Sequence, residues 1–151
     1  MGLSAESGYL ASSFAAKASE LGANQVMLAP PIMKKPNEQI LYRYYKDVND
    51  SISKNTSLVV QDLPDQSGVY MSPEFMIHLD NNLEKINSIK LEDPPTPKKI
   101  TKIIKIDKNL NKLLFVNISN FKVLDLIVRL KFIFYIWKFS LFCDKFCCIC
   151  H

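Results

Sequence analysis

The chain has 151 residues, enough for one domain of ordinary size, with 48% hydrophobic residues and a formal net charge of +4. The positive excess comes from residues 108–151, which hold 7 Lys or Arg and 2 Asp or Glu, whereas residues 1–107 hold 12 and 13. The main part of the chain therefore lacks the basic excess of a nucleic-acid-binding face. All four cysteines lie in the last nine residues, unlike those of a secreted disulfide scaffold, and no signal-peptide pattern is visible, so we expect a cytoplasmic protein.

Helical and strand patterns alternate from the start of the chain. Ser4 is a candidate N-cap for a helix in which Leu10, Phe14 and Leu21 share one face, and Gly22 is expected to end that helix. The short apolar run at residues 25–29, closed by two prolines, predicts a buried strand.

The same alternation continues to about residue 106. Asn37 is expected to cap a second helix, whose apolar residues recur at helical spacing: Ile40, Leu41, Tyr44, Tyr45, Val48 and Ile52. Residues 57–61 predict a second buried strand, and residues 62–69 a loop. Ser72, Pro73 and Glu74 have the order typical of a helix start. A third strand is predicted at residues 86–91, and residues 96–97 open a fourth helix.

Strands about 30 residues apart, separated by amphipathic helices, are typical of parallel βαβ units. These patterns predict an α/β fold in which helices cover a parallel sheet. Two architectures fit: part of a (β/α)8 barrel, and a doubly wound open sheet. No strand is followed by a Gly-x-Gly-x-x-Gly or Gly-x-x-x-x-Gly-Lys loop, which argues against an open sheet that binds nucleotides.

Lys90 is the residue with the clearest chemical interest. In the strand at residues 86–91, alternation is expected to place Ile86, Ser88 and Lys90 on one face and the intervening residues on the other. Lys90 then occupies the last inward position before two prolines end the strand. Desolvation among apolar neighbours would favour the free amine, a nucleophile toward carbonyl carbon. For a lysine considered alone, a solvated strand end is the commoner interpretation, so the rest of the chain decides.

Several linked motifs resemble the dihydrodipicolinate synthase / N-acetylneuraminate lyase family. The resemblance covers about residues 3–106. It consists of the strand and loop at residues 22–31 with 35–36, the helix through Leu41-Tyr42, Asp62-Leu63-Pro64 with Ser67-Gly68-Val69, Met71-Ser72-Pro73, and Ser88-Ile89-Lys90. The last of these matches the family's Schiff-base lysine in position and context.

The resemblance implies a (β/α)8 barrel of class I aldolase type, a lyase that needs no cofactor or metal. Lys90 would be the nucleophile that condenses with the keto group of pyruvate or a 2-keto-3-deoxy sugar acid, at the carboxyl end of a barrel strand. Ser67 and Gln66 occupy positions associated with substrate binding. The family also implies a homo-oligomer in its full-length form.

Three positions depart from the family pattern. Gln61 stands where the family usually has a catalytic tyrosine, which makes it the second candidate catalytic residue. An amide cannot transfer a proton as a phenol does, so Gln61 is expected at best to orient a substrate or a water. Met33 replaces a second tyrosine of a proton relay, and Gln66 replaces an arginine that often anchors the substrate carboxylate. The pattern therefore favours a sibling aldolase or sugar-acid dehydratase over dihydrodipicolinate synthase itself. Glu92 and Asp93 are candidates for the acid–base work, with solvated loop acids as the alternative interpretation.

The extent of the resemblance predicts an incomplete barrel. A full barrel needs about 250 residues, whereas residues 1–107 are expected to supply three to four βα units, with strands four to six of the barrel. The family's threonine-rich loop, which holds the keto-acid carboxylate, is absent. We therefore expect a lyase lineage with little activity in this chain alone. The alternatives are a non-catalytic remnant and a chain that folds only by association.

We expect residues 108–151 to form a separate tail that is helical or disordered and lies outside the family pattern. Of these 44 residues, 30 are Phe, Ile, Lys, Leu, Asn or Tyr, whose codons are A/T-rich, which suggests a shifted-frame or read-through translation. Residues 124–143 are mostly apolar, but four charges in them make insertion across a membrane unfavourable or marginal. An interfacial helix is the alternative. The four cysteines and His151 lack paired zinc-ligand spacing, so no metal site is expected.

Overall fold

The computed structural model describes residues 1–3, 5–33, 37–106 and the backbone of a strand at residues 113–116. The elements in chain order are β1 (Gly2–Leu3), α1 (Gly8–Glu20), β2 (Gln25–Leu28), α2 (Glu38–Ser51), β3 (Ser57–Asp62), α3 (Pro64–Ser67), α4 (Pro73–Asn82), β4 (Ile86–Leu91), α5 (Thr96–Ile106) and β5 (Leu113–Val116). The predicted cap Ser4, the Lys35-Pro36 motif and the predictions for residues 117–151 lie outside the described residues.

The five strands form one parallel sheet in the order β1-β2-β3-β4-β5. Because crossovers between parallel strands are right-handed, a sequential strand order places every connecting helix on the same face. A doubly wound sheet would instead reverse its strand order and carry helices on both faces. The predicted partial barrel is thus confirmed. β5 lies beyond the domain boundary predicted at residue 107.

The hydrophobic core lies between the helices and one face of the sheet. Alternate strand residues enter it, including Val26 and Leu28 of β2, Leu58 and Val60 of β3, and Ile89 and Leu91 of β4. Helix α2 contributes Leu41, Tyr44, Tyr45 and Val48, as its helical spacing predicts, whereas Ile40, predicted for the same face, is exposed. The Asn37 side chain caps this helix and the Ser72 hydroxyl caps α4, both as predicted.

Helix α1 differs from its prediction. Its N-cap is Ser7, whose Oγ accepts a hydrogen bond from the Leu10 amide. The buried face carries three alanines, Ala11, Ala15 and Ala18. The predicted stripe of Leu10, Phe14 and Leu21 is exposed instead, because the alanine face is the one that packs against α2 and β2. Gly22 ends the helix with φ +88°, as expected of a left-handed C-terminal residue.

Strand β4 contains a β-bulge, so its side chains do not alternate in the way that the sequence predicts. Leu58 pairs with Ile86, but the next residue, Val59, pairs with Ser88, so Asn87 is an extra residue on β4. Because paired residues share a face, Ile86 points away from Ser88 and Lys90, into the helix-covered core. The prediction that Ile86 shares the face of Lys90 is therefore wrong. The bulge buries Ile86 and leaves the polar Asn87 exposed.

Candidate active site

Gln61 and Lys90 lie side by side at the carboxyl ends of neighbouring strands. They are register partners in the pairing of β3 with β4. Their chain neighbours Val60, Ile89 and Leu91 belong to the helix-covered core, so Gln61 and Lys90 point to the opposite face, which is the inner face of a barrel. The structure thus brings together the two residues that the sequence predicted as catalytic.

Glu92 bridges this pair. Its Oε1 lies 2.9 Å from Lys90 Nζ, and its Oε2 accepts a 2.6 Å hydrogen bond from Gln61 Nε2. The Lys90 side chain is 27% exposed and that of Glu92 is 10% exposed. Lys90 therefore has a carboxylate partner in place of the apolar neighbours that the sequence suggested. A carboxylate in hydrogen-bond contact with an amine can take up and return its proton.

The opposite face of the same strand ends carries a second charged cluster, which we call the Lys99 triad (Asp62, Asp93 and Lys99). Lys99 Nζ lies 2.7 Å from Asp62 Oδ2 and 2.7 Å from Asp93 Oδ2. Of the two carboxylates predicted as acid–base candidates, Asp93 is paired with Lys99, whereas Glu92 contacts Lys90. The geometry therefore favours Glu92 as the acid–base residue.

Asp62 is fully buried, and burial raises its pKa from 3.8 to about 6. The hydrogen bond and charge of Lys99 offset part of this rise, while the charge of Asp93 adds to it.

Lys99 was not predicted from the sequence, because a lysine near a helix start is expected in solvent. Its spacing was a usable signal, since Lys99 precedes the buried Ile103 by four residues and so shares its helical face.

The two predicted substrate-binding residues lie on the short helix α3. The Ser67 hydroxyl is buried, donates to the Leu63 carbonyl and accepts from the Val69 amide. Gln66 is exposed. Met33, at the position of the family's second tyrosine, donates its backbone N–H to the Ser67 carbonyl and packs against the core. Substrate binding by Ser67 and Gln66 stays a prediction.

Residues 4–116 match the sequence profile of the Dihydrodipicolinate synthetase family. The chain belongs to this family. The 4-hydroxy-tetrahydrodipicolinate synthase of Thermotoga maritima is 31% identical over 78 residues, which is 52% of this chain and 26% of that protein. The L-2-keto-3-deoxyarabonate dehydratase of Azospirillum brasilense is 31% identical over 94 residues, 60% of this chain and 29% of that protein.

Solved structures of dihydrodipicolinate synthetase family members share the fold. Dihydrodipicolinate synthase from Aquifex aeolicus superposes with a TM-score of 0.69 at 22% identity, over 77% of this chain and 38% of that chain. The enzyme from Thermotoga maritima gives a TM-score of 0.67 at 24% identity, over 77% and 39%. This chain therefore spans about a quarter of the curated relatives it matches and under two fifths of these solved barrels.

Two further features are absent from the described residues. No group of three or more His, Cys, Asp or Glu side chains there could hold a metal ion. In that same part of the chain, no helix is both long and apolar enough to cross a membrane.

Proposed function

We propose that this chain carries the Schiff-base centre of a class I lyase acting on pyruvate or a 2-keto-3-deoxy sugar acid. Lys90 is the nucleophile, Glu92 the general acid and base, and Gln61 the group that orients Glu92. The contact of Glu92 with both Lys90 and Gln61 is the observation that carries the proposal. Family membership supports the lysine chemistry, and the sugar-acid dehydratase relative supports the substrate class.

The first half of the reaction balances with these residues alone. Glu92 takes a proton from the Lys90 ammonium, and the free amine attacks the keto carbon to form a C–N bond. A proton moves from nitrogen to the former carbonyl oxygen, which gives a carbinolamine. Glu92 then returns its proton to the hydroxyl, which leaves as water, and an iminium remains on Lys90.

The second half uses the same carboxylate. The iminium withdraws electrons from the adjacent carbon, so the ionised Glu92 can remove a proton there and form the enamine. The enamine then adds to a carbonyl compound to make a carbon–carbon bond, or it expels a hydroxyl group from the next carbon, which leaves as water with the proton that Glu92 returns. Cleavage of a carbon–carbon bond instead starts from the iminium and leaves the enamine. Gln61 takes no proton itself, because an amide only donates or accepts hydrogen bonds at neutral pH.

Reductive trapping tests this proposal. The chain is incubated with pyruvate or 2-keto-3-deoxyarabonate, reduced with borohydride and analysed by intact mass and peptide mapping. We expect an adduct on Lys90 equal in mass to the keto acid less one oxygen atom. Glu92→Gln should slow trapping about 100-fold, Lys90→Met should abolish it, and the exposed-site control Glu84→Gln should leave it unchanged. An unmodified Lys90 in the wild-type chain would contradict the proposal for the isolated chain and would leave a non-catalytic remnant or a chain that needs association.

A second candidate is a chain that turns over substrate only when associated with the rest of a barrel. The exposed apolar face of α1, formed by Leu10 and Phe14 and continued by the C-cap residue Leu21, favours it. Helix α1 follows β1, and in a closed barrel the helix of the preceding βα unit lies next to it. That helix is the occupant we propose for this face. The homo-oligomer and the cytoplasmic location expected from the sequence stay predictions.

A further inference from the structure

We propose that Lys99 is a positioning residue, which holds Asp93 and Asp62 together and thereby fixes the loop that presents Glu92 to Lys90. This inference rests on the proposed function, because it gives Lys99 a role through Glu92. Lys99 itself lies on the helix-covered side of the strand ends, so it touches neither Lys90 nor any substrate on the inner face.

The Lys99 triad joins three separate elements. Asp62 is the last residue of β3, Asp93 lies in the loop after β4, and Lys99 is in the first turns of α5. Lys99 is 9% exposed, and both of its carboxylate contacts are 2.7 Å long. Charge-assisted hydrogen bonds of this length are about twice as strong as neutral ones, so the triad ties the loop after β4 to β3 and α5.

The loop has further anchors on both sides of the Glu92 side chain. The Glu92 backbone N–H donates a 3.0 Å hydrogen bond to the Asp62 carbonyl oxygen. The Thr96 hydroxyl donates a 3.1 Å hydrogen bond to the Asp93 carbonyl oxygen. With its own amide and the next side chain both held, Glu92 directs its carboxylate toward the inner face, where Lys90 and Gln61 bind it.

Stability alone does not explain three charges at this place. A buried ion pair costs desolvation energy that its attraction only partly repays, and apolar residues of similar volume are often as stable or more stable. The raised pKa of Asp62 shows that this cost is felt in the folded chain. The charged contacts are directional, however, and an apolar packing would not hold Asp93 at a defined point. Because Asp93 follows Glu92 directly in the chain, directional contacts to Asp93 also fix the position of Glu92.

The test uses the full chain and two readouts, the rate of pyruvate trapping and the hydrogen exchange of the Glu92 amide. Asp62→Asn combined with Lys99→Met removes the anchor of Asp93 without leaving a lone charge fully buried. We expect the maximal trapping rate to fall about tenfold while the half-saturating pyruvate concentration stays within about twofold. Exchange at the Glu92 amide should accelerate about tenfold, while the core amide of Val60 keeps its protection.

Two matched variants separate positioning from general stability. Lys99→Arg keeps both carboxylate partners and should restore most of the trapping rate. Lys102→Met removes an exposed charge from the same helix and should change neither readout. Wild-type trapping and Glu92 protection in the double variant would overturn the inference, as would equal acceleration at Val60 and Glu92. If wild-type Lys90 is never trapped, the proposed function fails, and the exchange data alone decide whether Lys99 fixes the loop.

Discussion

At the scale of single residues, Asp62 links stability to pH. Its pKa of about 6 in the folded chain lies above its ordinary value of 3.8, so the unfolded chain releases this proton first as the pH rises. The contribution of Asp62 to the free energy of unfolding is therefore greatest below about pH 4 and is lost between about pH 4 and 6. The loss is on the order of 3 kcal/mol.

We predict that Asp62→Asn flattens the dependence of stability on pH in this window. The amide does not ionise, and Lys99 keeps Asp93 as its partner. Urea unfolding at several values between pH 4 and 7 measures the difference between the variant and the wild type. Asp65→Asn, which changes an exposed carboxylate on α3, serves as the control. Identical pH slopes for wild type and Asp62→Asn would contradict the pKa shift.

The residues of the site differ in how far the sequence could predict them. Lys90 was predictable from strand alternation and from the family resemblance, and Gln61 from that resemblance alone; their pairing came only with the register of the sheet. Sequence proximity alone could not separate Glu92 from Asp93, since the direction of a loop side chain depends on its anchors. One of those anchors, Lys99, comes from a helix that begins only after the loop. The proposed acid–base residue, Glu92, therefore became identifiable only with tertiary contacts.

At the scale of elements, local chemistry predicted most helix boundaries. Asn37 and Ser72 cap α2 and α4 with their own side chains, and those hydrogen bonds need no distant partner. β1 has two residues and α3 has four, too few for a periodic pattern, and neither was predicted. The buried face of α1 was missed because alanines define it, and a hydrophobicity pattern gives more weight to leucine and phenylalanine.

We predict that substitutions on the two faces of α1 change the free energy of unfolding by different amounts. Ala15 is fully buried, so Ala15→Leu should overpack the contact with α2 and cost about 1–3 kcal/mol of unfolding free energy. Phe14 is half-exposed on the other face, and Phe14→Ser should change that energy by no more than about 0.5 kcal/mol. Denaturant unfolding of both variants checks this. A larger loss for Phe14→Ser would show that its ring is covered in the isolated chain.

At the scale of the whole molecule, the described sheet has an open edge at β1. There the backbone groups of Gly2 and Leu3 pair on one side only, with β2, and the exposed face of α1 lies on the helix that follows this strand. An unpaired strand edge is a template for another strand. Both features fit the same missing neighbour, a strand and its helix from the preceding βα unit of a family barrel.

We predict that a polypeptide carrying the first two βα units of the Thermotoga maritima synthase will bind this chain. Size-exclusion chromatography with mass measurement should show a complex when the two are co-expressed. Phe14→Ser should weaken the complex about tenfold by removing apolar contact area, whereas the exposed-site control Glu20→Gln should not. A wild-type complex that survives Phe14→Ser unchanged would place the binding surface elsewhere.

The bulge in β4 determines which changes of length this strand can accommodate. Without Asn87, the order Ile-Ser-Ile-Lys-Leu alternates without interruption, and each remaining side chain keeps the direction it has now. Asn87 is thus an extra residue that the bulge accommodates, whereas an extra residue between Ile89 and Lys90 would turn the Lys90 side chain toward the helix-covered core. The strand can accommodate an added residue before Ser88 but not directly before Lys90.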